Sequence, residues 1–283
     1  MSYQRDSEEL SENIETVSSP ETLSIWGLAW PSILANILFA AAGVVSIKAV
    51  GILGTEAVAA VGTGQRILFV IQSIIMAVST GTAALVARAF GSANYKEAAQ
   101  VLLDSLWIGV ILSILAATSM WLYGESIISF FGLDPESKKL AVIYIKYTML
   151  FSAAFSSSFI FSSALRAAGD AKTPLAIMIF QNLLNIYLLI GLVNGQFGFP
   201  EMGVVGASYA WGISFTVGTA VYVIMWLSKM TVIPLPSLKN IIYDRLRKIF
   251  KISLPATLES GVFQSGLLFY FWIISLYGTE PSA

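Results

Sequence analysis

The chain has 283 residues, 56% of them hydrophobic and 12% charged, about half the charged fraction of an ordinary soluble domain. A mean hydropathy of +0.76 calls for a stack of membrane spans of about 20 residues each rather than a water-soluble fold. Histidine and cysteine are both absent, which removes imidazole bases, thiolate nucleophiles, disulfides and the usual zinc ligand sets, and with them most enzyme chemistry. The net charge of −1 lacks the basic face of a nucleic-acid binder.

Residues 1–24 read as an acidic cytoplasmic tail: Asp6, Glu8, Glu9, Glu12, Glu15 and Glu21 face a single Arg5, and the apolar run that follows is too long for a secretory signal. Seven spans follow in chain order, at Ile25 to Ala49, Ile67 to Phe90, Val101 to Tyr123, Leu140 to Leu165, Pro174 to Val193, Gly203 to Leu227 and Ile252 to Tyr277. The short connections between them are rich in Gly, Pro, Asn, Ser or charge, as turns between antiparallel helices should be. Residues 25–227 therefore form a six-span bundle, 228–251 a connector, and 252–283 the first span of a second bundle. In the connector, Leu238, Ile241, Ile242, Leu246 and Ile249 recur at helical spacing beside Lys239, Arg245, Arg247, Lys248 and Lys251. That pattern predicts an amphipathic helix along an anionic headgroup surface; the plainer alternative is a solvated linker.

Of the 16 Lys and Arg, eleven fall on the side of the tail and the even-numbered loops: Arg5, Arg88, Lys96, Arg166, Lys172, Lys229, Lys239, Arg245, Arg247, Lys248 and Lys251. The other side holds Lys48, Arg66, Lys138, Lys139 and Lys146. The positive-inside rule then places the amino terminus in the cytoplasm of a multi-pass protein of the cell (inner) membrane.

Residues 23–59 laid over 247–283 match at 8 of 37 positions without a gap, including Pro31 with Pro255 and the Gly-Thr-Glu at 54–56 with that at 278–280. Six spans separate the copies, so the repeat is parallel, the plan of transporters that hold substrate between two bundles. The fold class expected is an all-α polytopic membrane bundle: a six-helix first repeat plus one helix of a second, with the rest of that second six-helix bundle missing from the chain. Pro31 and Pro255 read either as ordinary first-turn prolines or as points where a helix bends. Gly62, Gly64 and Gly81 suit close helix contact. In the stretch 166–174, Gly169 should end one helix and Thr173 cap the next, with Pro174 in its first turn.

Polar groups inside spans are the default pathway candidates. Lys48 lies near the outer edge of the first span, either snorkelling or lining the path. Glu259 is the only carboxylate placed well inside a span, with a titratable role or a helix N-terminal one. Asn182 and Asn185 sit three residues apart near Gln181 in the fifth span, where interhelical hydrogen bonding is the plainer reading.

The stretches VGILGTEAVAAVGTGQRI (50–67) with STGTAALVARAFGSANYKEAA (79–99), LRAAGDAKTPLAIMIFQNLLNI (165–186) with GFPEMGVVGASYAWGIS (198–214), and LPATLES (254–260) together resemble the MATE family of multidrug and toxic-compound efflux transporters. The resemblance runs from about Ile25 to the end. It implies ion-coupled antiport of organic cations or amphipathic drugs by alternating access, with H⁺ or Na⁺ as coupling ion and no cofactor. Gln65, inside the first stretch, joins the pathway candidates. Many members carry an acidic residue where this chain has Ser46, another where it has Leu189, and a Thr where it has Trp211. The resemblance thus implies a cation cluster that keeps Asn185 without its carboxylates, which directs attention to Lys48 as a stand-in charge. A lipid-linked saccharide flippase of the same superfamily, or a non-transporting truncated remnant, are the alternative readings.

Overall fold

The computed structural model describes residues 25–236 and, beyond them, residues 245, 247–249, 251–255, 258, 259, 262 and 266. The acidic tail, residues 237–244, 246 and 250 of the connector and most of the seventh span lie outside the described residues. Within them the chain forms seven helices: α1 (Ile25–Gly51), α2 (Thr55–Gly91), α3 (Tyr95–Ser129), α4 (Pro135–Met149), α5 (Ser152–Ala167), α6 (Lys172–Asn194) and α7 (Gly203–Leu227). Helix is the natural outcome where hydrocarbon supplies no hydrogen-bond partner, because only intrahelical bonds then satisfy the backbone. Helix α1 runs unbroken through Pro31. α2 packs on α3, α4 and α5; α6 and α7 form a hairpin, and α1 lies on α6.

The bundle exposes apolar side chains on its outside and buries small and polar residues among its apolar cores. Along α3, Trp107, Ile111, Ile114 and Leu115 are exposed, a stripe at helical spacing facing lipid. The buried face of the same helix carries Ser105, Gly109 and Ser113. α2, α3, α6 and α7 are each long and apolar enough to cross a membrane.

The fourth expected span is not one helix. It divides into α4 and α5, bent by 53° at residues 150–151. The hydropathy of 140–165 hides this, and hydroxyls flank the break, although Thr82 and Ser214 make the same back-bond within unbroken helices. Thr148 Oγ1 donates to Tyr144 O at 2.7 Å and Ser152 Oγ to Met149 O at 2.7 Å, back-bonds that compete with the ladder. Across the bundle Ser113 Oγ donates to Ser152 O at 3.2 Å, and Ser152 Oγ shares its one proton between Met149 O and Ser113 O, the latter also at 3.2 Å, which ties the start of α5 to α3.

The turn between α5 and α6 also differs from expectation. Gly169 ends α5 with φ +92 as expected, but the capping side chain is Asp170, which accepts from Thr173 N at 3.0 Å. Thr173 lies inside a helix that starts at Lys172. An acidic side chain three residues upstream reaches the open N–H better than the threonine hydroxyl does.

Two apolar cores hold the ends. One unites Val50, Ala60, Ile145, Leu189, Val193 and Ala207 where α1 meets α2; the other unites Val86, Leu102, Ile160, Leu165, Trp226 and Ile249 where α2 meets α3. At the first, the α6–α7 hairpin closes so tightly that a Cβ on Gly206 would strike Leu192 O, beside the 2.8 Å bond from Met202 N to that carbonyl. Gly62, on α2, has nothing within 4 Å of an added Cβ. Gly206→Ala should therefore destabilise the protein by about 1–3 kcal/mol, read as a lower detergent unfolding midpoint, while Gly62→Ala, with its gain in helix propensity, should hold or raise it.

Asp134 caps α4, accepting from Ser137 N at 3.0 Å, and that hydrogen bond together with the Ser137 hydroxyl holds its carboxyl below the usual carboxylate range. A depressed folded-state pKa contributes stability that is present above the unfolded value and lost as pH falls through the folded one. Protection of the first-turn amides of α4, taken relative to the intrinsic exchange rate at each pH, should fall on acidification through that window in the native protein. In Asp134→Ala it should be low on both sides of it.

Candidate functional site

Between the two apolar cores lies a belt of buried polar groups at mid-height. Gln72 and Ser73 sit at the centre of α2, Ser113 at the centre of α3, Ser152 and Ser156–Ser158 just past the α4–α5 break, Gln181 in α6 and Ser214 in α7, all buried. Serine at these points costs little helix propensity and lets the backbones approach: a Cβ on Gly109 would meet Ser156 Oγ, and one on Gly218 would meet the Gln181 side chain. Gln181 Nε2 donates to Ser158 Oγ at 2.9 Å, bracing α5 to α6 beneath α7. Thr219 Oγ1 donates to Ala154 O at 2.7 Å and ties α7 to α5.

An aromatic ladder stands on this brace. Phe155 on α5 meets Trp211 and Phe215, four apart on α7, and packs at 4.6 Å against Phe159, four residues on along its own helix. Phe155 stacks on Trp211 at 5.3 Å and 27°, Phe155 meets Phe215 edge-on at 5.2 Å and Trp211 meets Phe215 at 4.7 Å. Phe155 is buried as the floor, and Phe159, Trp211 and Phe215 remain partly open. Flat rings fixed in this way offer a face to aromatic and cationic solutes without ordering flexible chains.

Of the residues named from sequence, Trp211 falls in the ladder and Gln181 under it. Gln65 approaches the Tyr144 side chain as a hydrogen-bonding group. Asn182 donates to Met178 O of its own helix at 2.8 Å, so its amide does not join two helices, and Asn185 is half-buried. Lys48 is exposed in the last turn of α1, and Glu259 and Pro255 are exposed as well. Among the described residues no hydrogen bond, ion pair or ring contact joins Lys48, Gln65, Asn182, Asn185, Trp211 or Glu259 to another of that set. Leu189, at the position where the resemblance leads one to expect a carboxylate, is a buried member of the apolar core with 1% exposure.

Two residues alter the sequence reading. Glu259 is not the sole carboxylate within a span: Asp104, one turn into the third span, has a completely buried side chain. Arg245, expected on the headgroup surface, is buried instead and lies 3.3 Å from Asp104 Oδ2 and 3.4 Å from Glu97 Oε1. Amphipathic spacing cannot distinguish a lipid surface from a protein surface as the partner of a basic residue. A second, open recess of 390 Å³, lined by Leu53, Ala57, Leu140, Ile143 and Glu201 among others, contains none of the candidates.

These features define a polytopic helical membrane bundle with a polar, aromatic-faced middle. The MatE family profile matches residues 31–190, more than half of the chain, and the chain belongs to that family. It is similar to the probable multidrug resistance protein NorM of Thermotoga maritima, 28% identical over 257 residues that cover 90% of this chain and 55% of the relative. It is also similar to the probable multidrug resistance protein YoeA of Bacillus subtilis, 30% identical over 203 residues covering 70% of this chain and 43% of the relative. A solved structure described as the outward-facing conformation of a multidrug resistance MATE family transporter superposes with a TM-score of 0.79 at 24% identity, covering 86% of this chain and 53% of that one; this likeness establishes the fold. The chain spans about half the length of the relatives it matches.

The Gln181–Ser158 brace is testable by a double-mutant cycle. Ser158→Ala alone should cost about 1–3 kcal/mol by leaving the buried amide unmatched, and adding Gln181→Leu should recover part of it. Strictly additive changes in the unfolding midpoint would assign the two residues independent roles.

Proposed function

We propose that this bundle is one half of a secondary transporter that exports organic cations or amphipathic solutes by ion-coupled antiport, working against a second six-helix bundle. The observation that carries the reading is the mid-height belt with its half-open aromatic ladder of Phe159, Trp211 and Phe215 on a buried Phe155 floor. A site at the midplane is where a transporter built of two parallel repeats holds its substrate. The names of the NorM and YoeA relatives and the repeat between 23–59 and 247–283 support the same reading.

In this proposal the amino terminus is cytoplasmic, and so is the end where α2 meets α3, on the strength of the Lys and Arg distribution. Lys48, exposed in the last turn of α1, serves as an interfacial anchor whose stem runs along the apolar surface. Protons or sodium ions drive the exchange.

The test uses everted membrane vesicles, a fluorescent aromatic cation and a recording of ion release. Cation uptake should accompany proton or sodium release, and Trp211→Ala should weaken half-saturation by about 2- to 30-fold, the worth of one cation–π contact, with protein abundance unchanged. Lys48→Met should leave coupling intact. Ion release that does not depend on the cation, or an undiminished response from Trp211→Ala, would overturn the reading.

A further inference from the structure

The segment after α7 returns to the bundle and is held there by three contacts. Arg245 inserts between Glu97, Gln100 and Asp104, all on the first turns of α3, with Nη1 3.3 Å from Gln100 Oε1 and 3.3 Å from Asp104 Oδ2. Ile249, one turn on, is completely buried in the core with Val78, Val86 and Leu102. Ser253, one turn further, sits against Gly81 of α2, where an added Cβ would meet its hydroxyl and would lie 3.1 Å from Ile249 O. Arg245, Ile249 and Ser253 are spaced i, i+4, i+8 and form one face of the segment leading into the seventh span. This strap closes the end of the bundle where α2 meets α3.

The two carboxylates on Arg245 are not equivalent. Glu97 is 41% exposed, so water solvates it whether or not the arginine is present. Asp104 has no exposed side-chain surface, and neither of its oxygens has a hydrogen-bond partner among the described residues. The charged groups facing it are Arg245 from the strap and Glu97 from its own helix. The other helices packed here bring Val78 and Val86 from α2 and Ile160 and Leu165 from α5. Arg88 of α2 is exposed, and Arg166 of α5 donates to Ser162. Arg247, Lys248 and Lys251 of the strap are exposed. When the strap lifts, Asp104 loses its principal counter-charge, and a carboxylate with no exposed side-chain surface left in that state is disfavoured.

We propose that Asp104 is a monovalent-cation site that alternates with Arg245: the arginine neutralises it when the strap is down, and a proton or sodium ion replaces the arginine when the strap is up. The proposal rests on the alternating-access reading above. It supplies that reading with an ion site in a bundle where Leu189 is a core residue and Ser46 carries no charge.

The chain has no native cysteine, so Ile249→Cys reports strap opening through its rate of labelling by a water-soluble maleimide. In vesicles with the strap exposed to buffer, the rate, taken throughout relative to that of an exposed Lys251→Cys at the same pH so that the thiolate fraction cancels, should rise as pH falls, by up to about tenfold per pH unit for one proton taken up. If sodium is the ion, the rate should rise instead when sodium replaces choline at fixed pH. Either dependence supports the site and identifies its ion. In Asp104→Asn/Arg245→Met the neutral pair removes the buried charge, and labelling should be fast and indifferent to both ions. Glu97→Gln should keep the dependence. A native rate that ignores both pH and sodium would overturn the proposal, as would an ion dependence that persists in the double variant. Because labelling needs no substrate, absence of drug efflux with the ion dependence intact would count against the transport reading and leave this site standing.

Discussion

Hydrocarbon has no hydrogen bonds to offer, and the organisation of this protein follows from that one constraint. Each backbone group must be satisfied within the chain, so the apolar stretches become helices, and the hydrophobic effect no longer drives those helices together. What brings them together is close approach at small residues and bonds between buried hydroxyls and amides. Gly206 against Leu192 O and Gly218 against Gln181 are examples of the first. The Ser113–Ser152 exchange and the Gln181–Ser158 brace are examples of the second.

The same polar groups that hold the bundle also equip it. A belt of hydroxyls and amides at mid-height would be poor packing material in a soluble core, but in a membrane it joins α3, α5, α6 and α7 and leaves a half-open aromatic ladder between α5 and α7. The bend at residues 150–151 belongs to this arrangement: the fourth span breaks at the level of the belt, flanked by the back-bonded hydroxyls of Thr148 and Ser152. The break turns the Phe151 ring onto Gly212 and sets Phe155 and Phe159 on a helix of their own direction.

Much of this was legible in the sequence, and its gaps have identifiable causes. Composition and run length locate α1, α6 and α7 closely and the middle of α3, which extends six residues further at each end, because hydropathy follows the apolar centre of a span. α2 is read a dozen residues short at its start, since Glu56 and Arg66 look like loop charges when neither lies at mid-membrane. The broken fourth span is invisible because serine and threonine are equally at home in straight and bent helices. Trp211 stands out only as a departure from a resemblance; its partners Phe155 and Phe215 are ordinary apolar residues until α5 and α7 are placed together. Asp104 escapes notice at the edge of an apolar run, and Arg245 is misplaced because a basic residue on an amphipathic segment fits a headgroup surface as well as a buried carboxylate.

The returning strap closes the end of the bundle near α2 and α3, and the proposal made for Asp104 requires that end to open. The most direct measurement is the distance distribution between spin labels on Lys96, at the start of α3, and Lys251, on the strap, both exposed positions in a chain without native cysteine. Two populations are predicted, the shorter one dominant in the native protein and the longer one favoured by Arg245→Met. A single distance, unchanged by the substitution and by the ion gradient, would contradict it.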